Sequence, residues 1–421
     1  MPDERAKPES VTLSRIIAAL ESGVSVNSED RPARDGEPGV LKVSAVSDGQ
    51  FFPDENKVVL PGERSRLVVS PKKGDLLISR ANTFDLIAAC GLVDRDYPNL
   101  YLPDKLWRVV LADPRRDDMH WLKHVLNSPS VRSELKARAS GTSGSMKNIS
   151  KEAFLGITVV RPDLDEQRRI AEILDCWDES IRQASALREI KVRYYRGLAQ
   201  LLITGKHRFR EFAGHPWQEV RLADVTVESS QRNGTRLSMD AVMAVTKAEG
   251  MVPMKEETIG ASLDRYKVVR RDWFAYNPMR VNIGSIARWA GETDVLVSPD
   301  YVVFRCKTEA DAGLFDQQDG GSPTPLLDPS FLDHFRRSRA WEQFVAASGN
   351  GSVRVRIYFD DLGELRLRLP TLEEQKRIAA VLDTLDREIS LLRSELKALK
   401  QQKKGLMQKL LTGEIRVKVR P

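Results

Sequence analysis

The feature that most constrains this chain is an internal repeat. At an offset of 208 residues, segment 162–205 aligns with segment 370–413 without a gap, and 17 of the 44 paired positions are identical. The preceding segments match poorly, although Val11–Ile16 resembles Val220–Val225 at an offset of 209. A repeat of this kind indicates tandem duplication of one structural unit. The chain is therefore predicted to have two units, each with a variable body and a matching tail.

The tails have the heptad spacing of coiled-coil helices. In the second copy, apolar residues recur in alternating steps of four and three from Ile378 to Leu410, and only Lys403 interrupts them. In the first copy, the same steps run from Ile170 to Ala184. The apolar positions then shift to Leu187, Ile190, Tyr194, Leu198 and Leu201. We interpret this shift as a slip of the seam. Each tail lacks interior proline and ends at Thr-Gly, so each is predicted to be a helix of about 38 residues and roughly 57 Å.

The charge along the tails predicts that the two helices run antiparallel. The first half of each tail is rich in acidic residues and the second half in basic residues, as the helix macrodipole favours. Antiparallel packing places the acidic half of each helix beside the basic half of the other, whereas parallel packing places like charges together. We therefore expect an intrachain antiparallel coiled coil that acts as a rigid spacer. The alternative is that each helix packs separately on its own domain.

The bodies that precede the tails are mixed in character. Short β-rich runs such as Asp75–Ser79 and Tyr301–Phe304 alternate with turn clusters, and helices are predicted at Met119–Leu126 and Leu332–Ala347. The predicted fold class is α+β, with two mixed α/β domains joined by two long helices that form an antiparallel coiled coil. The predicted division is a first body at 1–160, a first spacer helix at 161–207, a second body at 208–368, and a second spacer helix with a C-terminal tail at 369–421.

The composition narrows the class of protein. Lys and Arg outnumber Asp and Glu by 66 to 60, a balance that permits a polyanionic partner without proving one. Cys90, Cys176 and Cys306 lie far apart, which excludes a disulfide framework and a cysteine-cluster metal site. The sequence has no apolar run of bilayer length and no signal-peptide core at its start. We therefore expect a cytoplasmic protein.

Residues suited to catalysis are sparse. His120 and His124 have the spacing of a metal-binding pair, but no third ligand is evident and no metal site is predicted. The segment Asn277–Arg280 shares letters with the Asn-Pro-Pro-aromatic loop of DNA adenine methyltransferases, but lacks the second proline and the aromatic residue. The segment Pro53–Lys57 contains the letters of a nuclease core, but they adjoin in a predicted turn. The sequence predicts no catalytic residue.

Basic residues recur near turns in both bodies. An Arg-x-Asn pair follows a β run in each body, at Arg80 and Asn82 and again at Arg280 and Asn282. Arg can bridge guanine and Asn can bridge adenine in the major groove, whereas Lys mostly contacts phosphates. Ordinary surface charge is the alternative interpretation of each of these residues. The pattern across both bodies favours a nucleic-acid partner.

Two repeated motifs define the ends of the tails. A Pro-x-Leu-x-Glu-Gln opening begins at Pro162 and again at Pro370, and Leu-Leu-(Ile)-Thr-Gly closes the tails at Gly205 and Gly413. The runs Asp75–Ser79 and Ser298–Arg305 lie within the bodies. With these motifs the chain resembles, over about residues 10–415, the specificity subunit of type I restriction-modification systems.

The resemblance implies that each body is a target-recognition domain that reads one half of a bipartite, asymmetric site in double-stranded DNA. The helices would set the spacing and dock two methyltransferase subunits, and motor-nuclease subunits would complete the restriction complex. The chain itself would be non-catalytic and bind no cofactor, since S-adenosylmethionine, ATP and Mg²⁺ would belong to its partners. We expect contacts to base edges from Arg80, Asn82, Arg280 and Asn282. We expect contacts to phosphates from Lys72, Lys73, Arg270 and Arg271.

Two functions of other classes stay open at this point. One is a self-contained DNA methyltransferase or nuclease, which would modify or cut DNA as the purified chain alone. The other is a coiled-coil scaffold without sequence-specific DNA recognition, which would show no preferred bipartite site in a footprinting experiment.

Overall fold

The computed structural model describes residues 8–47, 49–141, 146–247, 249–312, 326–348 and 356–417. The contacts between residues divide the chain into two compact units. Unit 1 comprises Met1–Ala186 and Ser394–Pro421, and unit 2 comprises Leu187–Arg393. Each unit therefore contains one body, the first half of one tail and the second half of the other.

Unit 1 contains two larger sheets. Its strands are β1 (Glu9–Thr12), β2 (Ile17–Ser22), β3 (Ser28–Glu29), β4 (Gly39–Leu41), β5 (Val46–Ser47), β6 (Gly49–Phe51), β7 (Asn56–Val59), β8 (Leu76–Ser79), β9 (Ala81–Asn82), β10 (Cys90–Leu92), β11 (Leu100–Tyr101), β12 (Leu106–Leu111), β13 (Lys147–Asn148) and β14 (Thr158–Arg161). One sheet has the order β2-β12-β8-β10-β6-β5 and the other β11-β4-β7-β3, while β1 pairs with β14 and β9 with β13. The central strands are almost wholly apolar because both of their faces are buried.

Three short helices complete the body of unit 1. They are α1 (Met119–Asn127), α2 (Pro129–Arg138) and α3 (Lys151–Leu155). Each begins at a polar residue whose side chain accepts a hydrogen bond from the first turn: Asp118 for α1, Ser128 for α2 and Ser150 for α3. Such N-caps satisfy backbone donors that a helix start leaves unpaired.

Unit 2 is built on a smaller sheet. Its strands are β15 (Gln218–Arg221), β16 (Thr226–Glu228), β17 (Met243–Thr246), β18 (Gly250–Pro253), β19 (Lys267–Val269), β20 (Phe274–Tyr276), β21 (Ile286–Arg288), β22 (Val295–Val297), β23 (Val302–Cys306) and β24 (Arg366–Leu369). The main sheet has the order β16-β23-β20-β21, and the remaining strands form the pairs β15-β24, β17-β18 and β19-β22.

Both long helices are unbroken for 40 residues. They are α4 (Leu164–Ile203) and α10 (Leu372–Leu411), each roughly 60 Å long. Among the described residues between them there are five shorter helices: α5 (Leu222–Val225), α6 (Glu309–Ala312), α7 (Pro329–Phe335), α8 (Arg339–Ala347) and α9 (Phe359–Gly363). After each long helix a glycine adopts the left-handed conformation, with φ of +69° at Gly205 and +76° at Gly413. These are the predicted ends, because only glycine adopts this conformation without a steric penalty.

The bodies share a topology that their sequences conceal. In each, the first strand pairs antiparallel with the strand that precedes the long helix, as β1 with β14 and β15 with β24. The central strands also have equivalent neighbours. In unit 1, β8 lies between β10 and β12, and in unit 2, β20 lies between β21 and β23. Ser79 pairs with Leu106 and Tyr276 with Val302, and both partners lie three residues after a proline. The duplication therefore extends through the bodies.

Within each unit, the two helix halves run antiparallel. In unit 1, Ile170 and Leu174 near the start of α4 share a core with Met407 and Leu410 near the end of α10. In unit 2 the roles are exchanged, so that Leu202 near the end of α4 packs with residues of α10 such as Ile378. The predicted antiparallel pairing is confirmed, and the alternative of two separately packed helices is wrong.

The predicted slip of the α4 seam is wrong. Leu187, Ile190, Tyr194 and Leu201 are exposed by 44% to 58%, and the seam instead continues in the original phase. Its positions from Ile170 onward are 174, 177, 181, 184, 188, 191, 195, 198 and 202, all buried or half-buried. The seam of α10 has the same steps exactly 208 residues later, also buried or half-buried throughout.

Charged side chains explain why the α4 seam was misread. Arg188 and Lys191 occupy seam positions and are half-buried there, because the long aliphatic stems of such side chains can cover apolar surface. The Lys191 ammonium lies 2.8 Å from a carboxylate oxygen of Glu388 on α10. Lys403, the one interruption of the other seam, pairs with Asp178 on α4. An ion pair thus replaces an apolar contact at these two seam positions.

Candidate nucleic-acid interface

The glutamine of the repeated Pro-x-Leu-x-Glu-Gln motif anchors each body to its helix. Gln167 donates from Nε2 to the carbonyls of Pro162 (2.9 Å) and Arg116 (3.0 Å), and its Oε1 accepts from the N–H of Asp118 at 2.9 Å. Because Asp118 is the N-cap of α1, one buried amide joins the starts of α1 and α4.

Unit 2 repeats the anchor atom for atom. Gln375 donates to the carbonyls of Pro370 (3.0 Å) and Leu326 (2.9 Å), and accepts from the N–H of Asp328 at 2.8 Å. Asp328 is the N-cap of α7. Both glutamines are completely buried, so these bonds are not exchanged for bonds to water.

The glutamate of the motif holds the segment that follows the other helix. In unit 1, Arg416 places Nε 2.8 Å from Glu166 Oε1. In unit 2, Arg208 binds both carboxylate oxygens of Glu374, at 2.9 and 2.7 Å. Both glutamates are fully buried, where a bidentate guanidinium offsets the cost of burying the charge. Each pair thus ties the start of one long helix to the end of the other.

A second repeated residue joins the side of each helix to its body. Asp175 on α4 accepts hydrogen bonds from His120 Nδ1 at 2.7 Å, from His124 Nε2 at 2.8 Å and from Lys123. Burial raises the pKa of Asp175, but the bonds from these three groups outweigh it and hold the pKa far below its usual range. Burial lowers the pKa of His124 to about 4, so this imidazole is neutral at pH 7.

The equivalent aspartate of unit 2 makes a related set of contacts. Asp383 accepts from Ser330 at 2.6 Å and from His334 Nε2 at 2.9 Å, and His334 Nδ1 accepts from the Tyr195 hydroxyl at 2.8 Å. Burial raises the pKa of that hydroxyl to about 12. Tyr195 is the seam residue of α4 that corresponds to Lys403 of α10. The two units thus fill the same position differently.

His124, Asp175 and Asp178 are close enough together to hold a metal ion. Their carboxylates already have cationic partners, since the Lys123 ammonium contacts both aspartates and Lys403 contacts Asp178. A divalent ion in this cluster would have to displace two ammonium groups. The donor set therefore fits an ion-pair anchor better than a metal site.

The structure separates the predicted base contacts of unit 1 from the predicted phosphate contacts. Lys72 and Lys73 are exposed before β8 begins, and within the described part of the chain neither ammonium has an ion-pair partner. Arg80 and Asn82 follow the other end of β8. Asn82 is only 7% exposed, and its Oδ1 accepts from the N–H of Thr83 at 2.9 Å. Among the described residues, Asn82 Nδ2 and Arg80 Nε are buried without a partner.

In unit 2 the two predicted sets again lie at opposite ends of a strand. Arg270 and Arg271 precede β20, while Arg280 and Asn282 follow it. Arg271 is paired with Glu292 and Arg270 bonds to Gln231 at 3.1 Å, so both guanidinium groups already have partners. Arg280 and Asn282 are exposed, and no described residue bonds to either side chain.

The two Arg-x-Asn pairs do not occupy equivalent positions. The N–H of Ile149 donates to the carbonyl of Arg80, whereas the N–H of Ile357 donates to that of Pro278. Ile149 and Ile357 are 208 residues apart, so Arg80 corresponds to Pro278 and not to Arg280. The repeat of this pair in the sequence is therefore not a structural repeat.

The two enzyme-like motifs lie in turns. The Asn277 side chain accepts from the N–H of Met279 at 2.9 Å and thereby closes its own turn. In the segment Pro53–Lys57, the N–H of Asn56 bonds to the carbonyl of Asp54 at 2.9 Å, and Glu55 accepts from Ser44. Their polar groups support local backbone structure.

Comparison with known proteins supports one family. Residues 340–401 match the model described as the type I restriction modification DNA specificity domain. The type I restriction enzyme MjaVIII specificity subunit of Methanocaldococcus jannaschii is 24% identical over 304 residues, which cover 68% of this chain and 68% of that protein. The EcoEI specificity subunit of Escherichia coli is 26% identical over 166 residues, covering 39% of this chain and 27% of that protein.

A solved structure extends the likeness to the whole fold. The crystal structure of the type I restriction-modification S subunit from M. genitalium aligns over 98% of both chains with a TM-score of 0.63, at 13% identity. The chain is similar in sequence and in fold to the specificity subunits of type I restriction-modification systems. The sequence matches are to specificity subunits, so the alternative of a self-contained methyltransferase or nuclease is not favoured.

The structure gives the repeated residues a role. The Glu-Gln pair of the motif and the aspartate eight residues after its glutamine are identical in the two copies of the repeat. Gln167, Glu166 and Asp175 join the body of unit 1 and the segment after α10 to α4, and their counterparts 208 residues later do the same in unit 2. Their identity at a fixed offset was the available signal. Among the described residues, no helix is both long and apolar enough to cross a membrane.

Proposed function

We propose that the two bodies of this chain are target-recognition domains that each read one half of a bipartite, asymmetric site in double-stranded DNA. The domains correspond to residues 1–160 and 208–368, and the spacer helices to 161–207 and 369–421. The observation that carries the proposal is the duplicated anchor. The same glutamine, glutamate and aspartate contacts hold two bodies of different surface to equivalent helix starts.

The helices are proposed to set the gap between the half-sites. Each body is joined to a helix start through buried bonds that leave little freedom, as a device of fixed length requires. The ion pairs Lys191–Glu388 and Lys403–Asp178 lie on seam positions, where polar pairs specify coiled-coil register.

The residues proposed to contact DNA differ in how exposed and how free of other partners they are. Arg280 and Asn282 are exposed and free among the described residues, so they are the strongest candidates for base edges. Arg80 and Asn82 would have to turn outward to reach DNA, since Asn82 is buried. Lys72 and Lys73 are proposed phosphate contacts, and Arg270 and Arg271 become phosphate contacts if DNA displaces Gln231 and Glu292.

The exposed flank of α4 is proposed as a docking surface for a methyltransferase subunit. Leu187, Ile190, Tyr194 and Leu201 form an apolar stripe beside the seam, which a partner helix can cover. Two methyltransferase subunits and the motor-nuclease subunits are the proposed partners, and S-adenosylmethionine, ATP and Mg²⁺ are proposed to bind to them. Because cellular DNA is the substrate, the proposed location is the cytoplasm.

Mapping methylated adenines in cells with and without this gene tests the proposal. The expected result is methylation at one bipartite sequence with a gap of constant length, present only with the gene. Footprinting of the complex with methyltransferase on that site should protect both half-sites. Methylation that is unchanged by deletion, together with a footprint at no preferred sequence, would contradict it.

A further inference from the structure

The turn between β20 and β21 exposes two large apolar side chains. Met279 is 50% exposed and Ile283 is 57% exposed. Val281, which lies between them, is buried and packs into the hydrophobic core of unit 2. Gly284 closes the turn with φ of +94°. Single exposed apolar residues are common on protein surfaces, but two on one nine-residue turn beside two unpaired polar side chains indicate a contact surface.

Several cationic side chains lie on or near this turn. The turn itself carries Arg280 and no acidic residue, while Arg288 at the end of β21 is paired with Asp272 at 3.1 Å. The Lys247 side chain lies against Gly284, where a Cβ on that glycine would be 3.1 Å from Lys247 Cγ. The bond from the Ile357 N–H to the Pro278 carbonyl, at 3.1 Å, brings Arg356 and the half-exposed Tyr358 beside the turn. The nearby Asp361 carboxylate accepts from the N–H of Tyr358.

Unit 1 presents a similar turn in the equivalent place. After β8, Phe84 and Leu86 are exposed, and the Lys136 ammonium lies 5.4 Å from the centre of the Phe84 ring. The bond between Ile149 and Arg80 ties this turn to its neighbouring segment, as the bond between Ile357 and Pro278 does in unit 2. Divergent bodies thus retain apolar residues at the same topological position.

We propose that Met279 and Ile283 form an apolar wedge that enters a base-pair step of the half-site read by unit 2 and kinks the duplex there. The inference rests on the proposed function, since it requires unit 2 to bind DNA. Proteins that kink DNA insert Met, Ile, Leu or Phe side chains between bases and hold the backbone with neighbouring cations. The free donors of Arg280 and Asn282 lie beside the apolar side chains, and Lys247 and Arg356 lie nearby, which favours DNA over a protein partner.

Energy transfer between dyes at the two ends of a short duplex measures the bend. The duplex carries the bipartite site identified by methylation mapping, and the protein is the full chain in complex with methyltransferase. We expect the variant with both Met279→Ala and Ile283→Ala to lose the bend and to bind the specific site roughly tenfold more weakly. The variant with Met279→Leu and Ile283→Leu should retain the bend, because leucine can also enter a base step.

Met239→Ala is the matched control. Met239 is 46% exposed in another short turn of unit 2, Met239–Ala241, and its truncation should leave the bend unchanged. All of these side chains are exposed, so unchanged thermal unfolding should show that the variants fold. A double alanine variant that bends and binds the site like the wild type overturns the wedge. A wild-type complex with no preferred site would instead overturn the proposed function.

Discussion

Gln167 and Gln375 make the same three hydrogen bonds 208 residues apart. Each donates twice to backbone carbonyls and accepts once from the N–H of the aspartate that caps a neighbouring helix. Two bodies with little sequence in common are thus joined to their helices by one geometry. The remaining surface of each body can therefore diverge in sequence as long as these glutamine hydrogen bonds are retained.

Replacement of Gln375 by alanine should destabilise unit 2. The change leaves two carbonyls and one N–H unpaired in a buried site, at a cost of about 2–4 kcal/mol in the free energy of unfolding. Chemical denaturation measures the loss. Lys376→Ala, at an adjacent exposed position of α10, is the control and should change stability little. Equal stability of the two variants would show that Gln375 does not anchor the body.

The stability of unit 1 should fall as the pH drops from about 6.5 towards 4. Burial lowers the pKa of His124 to about 4, so the unfolded state binds more protons than the folded state in this range, and protonation favours unfolding. His120 acts in the opposite sense, because its hydrogen bond to Asp175 raises its pKa. Its contribution is fully present below pH 6.5.

Denaturation at a series of pH values separates the two histidines. His124→Asn should flatten the decline between pH 6.5 and 4. His120→Asn should leave that decline in place and instead remove a loss of stability that occurs as the pH rises above 6.5, where the folded state of the wild type gives up the His120 proton. Identical profiles for the two variants would contradict the assigned directions.

Arg280→Ala should relax recognition of one half-site. Loss of a bidentate base contact costs about 1–3 kcal/mol against the specific sequence and little against others. Lys72→Ala should instead weaken binding to all sequences and reduce its salt dependence. Competition binding at several salt concentrations distinguishes these patterns. Equal loss on every sequence for Arg280→Ala would assign that residue to the phosphate backbone.

The apolar stripe of α4 should be required for methyltransferase binding. Its counterparts on α10, 208 residues later, are Glu395, Ala398, Gln402 and Lys409. Replacement of Leu187 by Glu and Tyr194 by Gln copies two of them onto α4 and should weaken assembly at least about tenfold, since two exposed apolar anchors are removed. Native mass spectrometry of titrated complexes measures the effect. Gln402→Ala is the control, and unimpaired assembly of the double variant would exclude the stripe.

Lengthening both helices should lengthen the gap in the DNA site. Seven residues inserted after Ala186 and seven after Arg393 preserve the seam and add roughly 10.5 Å, which is about three base pairs of B-DNA. Methylation mapping should find the same half-sites with the wider gap. An insertion in α4 alone shifts its register against α10 and should abolish methylation. A gap that does not change with both insertions would refute the spacer role.

The two long helices show what hydrophobic periodicity can and cannot predict about a coiled-coil seam. The step pattern of α10 correctly predicted its seam, because nearly every seam position is apolar. On α4 the apolar pattern predicted that Leu187 and Ile190 belong to the seam, although the half-buried seam positions are Arg188 and Lys191. Hydrophobicity alone could not identify these positions, since a lysine stays in a seam only when a carboxylate such as that of Glu388 lies opposite.

In the candidate nucleic-acid interface, the sequence could not predict which side chains are buried or already paired. That Arg271 pairs with Glu292 and that Asn82 is buried depends on contacts between residues distant in the sequence. In the sequence, Met279 stood out only as part of the incomplete methyltransferase motif Asn277–Arg280, and Ile283 belonged to no motif. Their exposure could not be predicted, because apolar residues are normally placed in the core.

The sequence by itself determined the duplication, the ends of the two long helices and their opposite directions, because these follow from local propensity, periodicity and the distribution of charge along each tail. Only the tertiary structure decided which polar residues anchor the bodies, which charges are already paired and which side chains remain free for DNA. Those outcomes depend on burial and on partners brought together by folding, and residue type alone carries neither.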